Sequence, residues 1–182
     1  MKRAIRKEIK SKLALQPPAE RARKSALIKE KLFKLEEFRK AKRVMFYVST
    51  DEEVATKEMI KETLKMGKKV CVPIILEEEN RILASEIDES CVLREGPLYG
   101  IYQPEERSLR PVDKEGIDVV VVPGVAFDCC NVRLGRGRGY YDRFLKDFPD
   151  KTKTIGLAFD FQVVDKLPKD SHDIPVSKII TA

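Results

Sequence analysis

From Arg133 to Asp142 the sequence reads Arg-Leu-Gly-Arg-Gly-Arg-Gly-Tyr-Tyr-Asp, so glycines and guanidinium groups alternate within one short stretch. Glycines at 135, 137 and 139 permit positive φ and let backbone N–H groups approach a ligand closely, which suits a phosphate. Arg133, Arg136 and Arg138 add forked donors that match phosphate geometry. The stretch falls between a valine run, Asp118 to Pro123, and a helical pattern from Tyr140 to Lys146. Strand ends and helix N-termini are where anions collect in an open parallel sheet. The pattern is neither a Walker A sequence, which needs Gly-Lys-Ser/Thr, nor a dinucleotide fingerprint with its acidic residue after a second strand. Glycine spacing alone also fits a solvated turn, and Arg-Gly repeats beside Tyr140 and Tyr141 fit RNA binding.

The rest of the composition narrows the chemistry. His172 is the only histidine, and no Ser/His/Asp or Cys/His constellation is evident, so a covalent nucleophile is not expected. Four cysteines, at 71, 91, 129 and 130, lack paired C-x-x-C spacing and read as reduced thiols rather than a zinc site. A formal net charge of +6 favours anionic partners without choosing among them. With 42% apolar and 36% charged residues of nearly balanced sign, the chain is expected to fold, and 182 residues suit one domain spanning 1–182. The longest apolar runs fall far short of the ~20 residues that cross a bilayer, and no signal-peptide pattern opens the chain, so a cytoplasmic protein is expected.

The elements that must position the Arg-Gly stretch follow from periodicity. Ile5, Ile9 and Leu13 recur at intervals of four among lysines and arginines, which predicts an amphipathic helix over 2–15 ended by Pro17 and Pro18. A second helix is predicted from Pro18 through Ile28, Leu32, Leu35 and Phe38. A buried strand over 43–49, a helix over 56–66 stopped by Gly67, and a strand over 69–74 make a βαβ unit with parallel strands. Residues 81–87 form a weaker strand candidate. Residues 90–116, with Pro97, Gly100, Pro104, Pro111 and Gly116, read as mostly irregular. Strands are predicted over 118–123 and 153–159, with a last short edge strand over 177–181. The fold class is α/β, a three-layer, open, largely parallel, Rossmann-like sheet with helices on both faces.

The run Pro123-Gly-Val-Ala-Phe-Asp128, four residues, then Arg133 to Leu145 resembles the signature of the 5-formyltetrahydrofolate cyclo-ligase family. The resemblance extends to Lys2 and Arg6, Glu53-Val-Ala-Thr56, Gly100-Ile-Tyr-Gln-Pro104, Ile155-Gly-Leu-Ala-Phe159 and His172-Asp173. One departure is Asn131, where the family pattern has glycine. Asn tolerates the left-handed region, so the turn is expected to persist. Cys129 and Cys130 before it are unusual and read as loop filler.

The resemblance implies cyclisation of 5-formyltetrahydrofolate to the 5,10-methenyl form, with ATP as co-substrate and Mg2+ as cofactor, through a phosphorylated formyl group. An ATP-dependent enzyme of the same fold acting on another small molecule is the alternative. By the same resemblance, Lys2, Arg3, Ala4, Ile5 and Arg6, together with Arg133, Leu134, Gly135, Arg136, Gly137, Arg138, Gly139, Tyr140 and Tyr141, are expected to contact ATP. Val48, Glu53, Arg136, Gly137, Arg138, Gly139 and Tyr140 are expected to contact the folate. Arg136 and Tyr140 are the expected catalytic groups. Asp142 and Asp173 are the expected metal ligands, with Asp128 a possible outer neighbour and His172 beside Asp173. The partners implied are small molecules, with no nucleic acid and no membrane, and the protein is expected to act as a monomer.

Overall fold

Four consecutive valines, Val119–Val122, are all buried, which requires cover on both faces of the strand they form. In the computed structural model, which describes residues 1–96 and 100–182, they sit inside a six-stranded sheet. The chain runs α1 (Lys2–Leu15), α2 (Pro18–Lys34), α3 (Glu36–Lys40), β1 (Arg43–Met45), α4 (Lys57–Lys65), β2 (Lys69–Leu76) and β3 (Arg81–Ile87). It continues through β4 (Leu93–Glu95), β5 (Tyr102–Pro104), β6 (Val119–Val122), β7 (Ala126–Asp128) and β8 (Arg133–Leu134). The last elements are α5 (Tyr140–Leu145), β9 (Lys153–Ala158), β10 (Val163–Val164) and β11 (Lys178–Thr181).

The main sheet has the order β11-β9-β6-β1-β2-β3; every pairing is parallel except β2 with β3. Alternation along the strands divides the core in two. Val44, Phe46, Val119, Val121 and Ile155 pack with Ile9, Leu13, Ile28, Leu32 and Met59 from α1, α2 and α4. Met45, Val120, Val122 and Ala158 face the other way, onto Tyr140, Phe144 and Leu145 of α5. Helices therefore cover both faces, but among the described residues four α-helices lie on one and only α5 on the other. Among the described residues no helix is long and apolar enough to cross a membrane.

Several expectations are corrected. The second helix does not run through Phe38: Leu35 is extended (φ −62, ψ 136), and the break lets Phe38 stack on Phe33 at 4.7 Å. The first strand is regular only to Met45, although Phe46 N–H still donates to Cys71 O at 2.9 Å. The weak candidate over 81–87 is a full antiparallel partner of β2. The mostly irregular stretch 90–116 also holds the short antiparallel pair β4–β5, and Pro97 lies outside the described residues. The connection from β6 to α5 is not one loop. It holds β7 and β8, which pair antiparallel and join β10 in a second, three-stranded sheet. Asn131, at φ 61, makes the β7–β8 turn in the left-handed region.

That small sheet is anchored by Phe127, whose ring lies on bare backbone of β9 and of the preceding turn. A Cβ built on Gly156 or Gly124 would come within 2.5 Å of it. Gly156→Ala is therefore expected to destabilise the protein by about 1–3 kcal/mol through overpacking. A urea-unfolding midpoint unchanged from wild type would contradict this.

Candidate functional site

The acidic side of the site is a loop held in shape by its own side chains. After β1 the chain passes Tyr47 and Val48 and turns at residues 50–53 before Thr56 leads into α4. Thr56 Oγ1 donates to Tyr47 O at 2.6 Å and accepts from Ser49 N–H at 3.0 Å, while Tyr47 O–H donates to Val54 O at 3.0 Å. The loop is thereby closed on itself, with its buried polar groups paired. Glu53 Oε2 accepts hydrogen bonds from Thr50 N–H and Oγ1–H at 2.9 and 3.1 Å. Its other oxygen receives Arg136 Nη2 at 2.9 Å, which ties this loop to the Arg-Gly turn.

The Arg-Gly turn supplies the basic side. Gly137 (φ 115) and Gly139 (φ 66) use the freedom expected of them. Gly135 does not; its need is room, since a Cβ there would meet Arg133 Nη1 at 2.7 Å. Arg133 is only 3% exposed and gives Nη2 to Asp142 Oδ1 at 2.9 Å, with Asp142 itself 13% exposed. Arg133 also donates to Pro123 O and lies over the Tyr141 ring at 5.6 Å. Arg138 pairs with Glu77 at 3.7 Å. Tyr140 and Tyr141 hydroxyls and Arg133 Nε are buried yet have no hydrogen-bond partner among the described residues. Buried polar atoms are seldom left so, and a bound polar ligand would complete them. Burial, and then the Glu53 carboxylate, pushes the Tyr141 phenol above its usual range, so it stays a donor.

The third wall comes from the two extremities of the fold. Arg6 Nε donates to Gly135 O at 2.8 Å, which docks α1 on the Arg-Gly turn. Lys2 Nζ lies 2.7 Å from Asp170 Oδ2 and 2.6 Å from Asp173 Oδ2. Burial pulls the Lys2 ammonium downward, but its two carboxylate hydrogen bonds more than offset this and its pKa is raised. For Asp173 burial acts upward, and the Asp170 N–H and Lys2 hydrogen bonds prevail to lower it. The segment carrying these aspartates is fastened to the β7–β8 turn: Leu167 N–H donates to Asp128 Oδ2 and Val176 N–H to Asn131 O, both at 2.9 Å.

These walls enclose a cavity of about 360 Å³. Lys2, Arg6, Val48, Glu53, every residue from Arg133 to Asp142, His172 and Asp173 line it. Arg3, Ala4 and Ile5 do not: Arg3 and Ala4 are exposed, and Ile5 packs on the core. Asp128 is also absent from the lining. It is 2% exposed, and its carboxylate accepts from Cys130, Val132 and Leu167 N–H groups, which is the work of a turn former. The sequence reading missed Lys10, Glu52 and an apolar wall that includes Ile75, Ile82 and Ile101. Lys10 could have been found, because it continues the interval-of-four stripe of Lys2 and Arg6.

An all-oxygen donor such as Asp142 suits a hard divalent cation, and Arg133 holds one of its oxygens in a fixed direction. Asp173 clusters instead with Asp170 and His172, whose ligating atoms approach within 4.8 Å of one another. Lys2 already lies on both of those carboxylates, so the resident charge there is an ammonium. Each expected ligand thus has one carboxylate oxygen on a cation, Asp142 on Arg133 and Asp173 on Lys2.

Comparisons with known proteins agree with one another. The family model described as the 5-formyltetrahydrofolate cyclo-ligase family matches residues 1–182. The mouse 5-formyltetrahydrofolate cyclo-ligase is 32% identical over 98% of this chain and 92% of its own. The structure of Aquifex aeolicus 5,10-methenyltetrahydrofolate synthetase superposes with a TM-score of 0.85 at 37% identity, covering 99% of this chain and 89% of that one. The Mycoplasma pneumoniae 5,10-methenyltetrahydrofolate synthetase gives 0.80 at 26% identity, covering 98% and 97%.

Proposed function

The chain belongs to the 5-formyltetrahydrofolate cyclo-ligase family and is an enzyme of that kind, and from this premise we propose that it couples ring closure to ATP within the cavity lined by the Arg-Gly turn. Residues 1–182 act as one catalytic domain. The observation that carries this reading is the mixed lining of the cavity, which joins cations from α1 and from 133–138 to apolar side chains that include Ile75, Ile82 and Ile101. A triphosphate suits the first and a fused heteroaromatic ring the second.

In the proposed reaction the formyl oxygen attacks the γ-phosphorus of ATP, the bond to the β-phosphate oxygen breaks, and ADP leaves. The neighbouring folate nitrogen then attacks the activated formyl carbon and gives up its proton, which leaves with the phosphate; the C–O bond breaks, and inorganic phosphate departs from the closed 5,10-methenyl ring. Arg136 neutralises charge on the transferred phosphoryl group, and the Tyr140 hydroxyl donates to the formyl or phosphoryl oxygen. Lys2 and Arg6 hold the triphosphate from α1. Glu53 accepts hydrogen bonds from ring N–H groups of the folate, with Val48 packed beside it. Mg2+, held by Asp142, would supply charge neutralisation to the triphosphate.

The test is the appearance of methenyl absorbance in a mixture of purified protein, ATP, Mg2+ and 5-formyltetrahydrofolate. Product that requires all of them supports the proposal. ATP turnover indifferent to the folate would favour an enzyme acting on another small molecule. Glu53→Gln is expected to raise the KM for folate about tenfold with a smaller change in kcat, because one charge-assisted hydrogen bond is exchanged for a neutral one. Steady-state kinetics with folate varied checks this, and an unchanged KM would remove Glu53 from the folate site.

A further inference from the structure

Cys129 and Cys130 follow one another in the β7–β8 turn, and both are exposed. Adjacent side chains on an extended strand point to opposite faces. Here the turn, with Asn131 at φ 61 and Asp128 Oδ1 accepting the N–H groups of Cys130 and Val132, leaves the two sulfurs 3.9 Å apart. Cys129 S–H also donates to Asp165 O at 3.3 Å. The hydrogen bond shared with Cys130, and then the charge that its thiolate would carry, hold the Cys129 proton above its usual range, so the pair is a dithiol at neutral pH. Cys129 borders a cleft of about 310 Å³ shared with Asp160, Val163 and Ile179, and neither cysteine lines the larger cavity. The remaining cysteines stand apart: Cys91 is half-buried, and burial pushes the Cys71 thiol up to about 12.

Two adjacent thiols can close on each other or on a third atom, and the separation decides between them. A disulfide holds its sulfurs at about 2.05 Å, so this pair would have to close by nearly half. A single atom bonded to both sulfurs at about 2.3 Å, with a tetrahedral opening, holds them about 3.8 Å apart, which is close to the spacing already present. The ring so formed is one atom larger than that of a vicinal disulfide and strains the turn less. Among the described residues no group of three or more His, Cys, Asp and Glu ligands includes the pair, which leaves a tetrahedral ion such as Zn2+ two ligands short. A trivalent arsenical with one organic substituent needs only two thiolates, and the cleft beside Cys129 has room for the substituent. We infer that Cys129 and Cys130 form a dithiol site for a thiophilic centre of the monosubstituted trivalent arsenical class, separate from the cavity and independent of what the cavity binds. On binding, two S–H bonds and the As=O bond break, two As–S bonds form, and the oxygen leaves with both protons as water. Arsenic stays trivalent, so no oxidant or reductant takes part.

The probe is phenylarsine oxide, added to the reduced full-length chain and read by intact mass and by counting free thiols after unfolding. Wild type should gain one arsenical less one water, and its free thiols should fall from four to two. The adduct should survive washing with a monothiol and be released by a dithiol. Cys129→Ser and Cys130→Ser should each bind the probe about a hundredfold more weakly, because the second As–S bond is intramolecular only when both thiols are present. Cys91→Ser should match wild type. Both substituted side chains are exposed, so melting temperatures near that of wild type should accompany the loss of binding. Retention should be the same with and without ATP and 5-formyltetrahydrofolate. Equal retention by either single-serine variant, retention that depends on Cys91, or competition by the nucleotide or the folate would each overturn the inference. So would a reduced and desalted wild type whose pair has already joined as a disulfide.

Discussion

Arg136→Ala is expected to lower kcat by about two to three orders of magnitude while the KM for ATP changes little, the pattern of a donor whose interaction strengthens only as charge develops. Arg136 is suited to this because it is held but not sealed in: Glu53 receives its Nη2 at 2.9 Å, and its side chain remains 32% exposed on the cavity. In the proposed reaction the incoming phosphate would compete with Glu53 for this guanidinium, so one residue would join the two expected halves of the site. The Arg136–Glu53 pair is partly exposed, and its loss should cost little stability. A melting temperature near that of wild type, together with the fall in kcat, separates catalysis from folding. Arg136→Lys should recover only part of the rate, since an ammonium cannot reproduce the planar fork. A kcat within threefold of wild type for the alanine variant would remove Arg136 from the reaction.

The second large effect lies at Asp142. Its partner Arg133 is almost wholly buried, so Asp142→Ala leaves a guanidinium in the interior with its charge uncompensated. Breaking such a pair typically costs about 3–5 kcal/mol. In a domain of this size a 3 kcal/mol loss lowers Tm by about 6–12 °C. Asp142→Asn keeps an oxygen acceptor for Arg133 Nη2 and Ile174 N–H but removes the negative charge. It should fold better than the alanine variant and yet lose most activity at low Mg2+, with excess Mg2+ giving partial recovery. Equal Tm for wild type and Asp142→Ala would show that the buried pair contributes nothing. Full activity of Asp142→Asn at low Mg2+ would exclude Asp142 as the metal ligand.

How far the chain can be read without its structure depends on the length over which a pattern repeats. Ile9 and Leu13, or Val119 to Val122, announce buried faces because many residues repeat one spacing, and the parallel pairing of β1 with β2 follows from the helix between them. Strands β7, β8 and β10, of two or three residues, carry no period. They exist because Phe127 finds a bare stretch of β9 and Asp128 gathers three N–H groups. The candidate site divides in the same way. The Arg-Gly stretch is legible as a unit, but what each arginine touches is not. Nothing local tells that Arg133 turns inward to Asp142, or that Arg136 reaches Glu53, 83 positions away along the chain. Gly135 shows the limit most plainly: glycine is needed there, but for room beside a guanidinium and not for a left-handed backbone.

The pairing of Lys2 with Asp173 joins positions 171 residues apart. A chain emerging from the ribosome can therefore complete α1, and even β1 and β2, long before the cavity has its third wall. Loop-closure entropy delays such a junction until the intervening sheet has brought its two ends near. The complete cavity is thus withheld from partly synthesised chains, and it arises as a late event of the whole polypeptide rather than as a property of its glycine-rich turn.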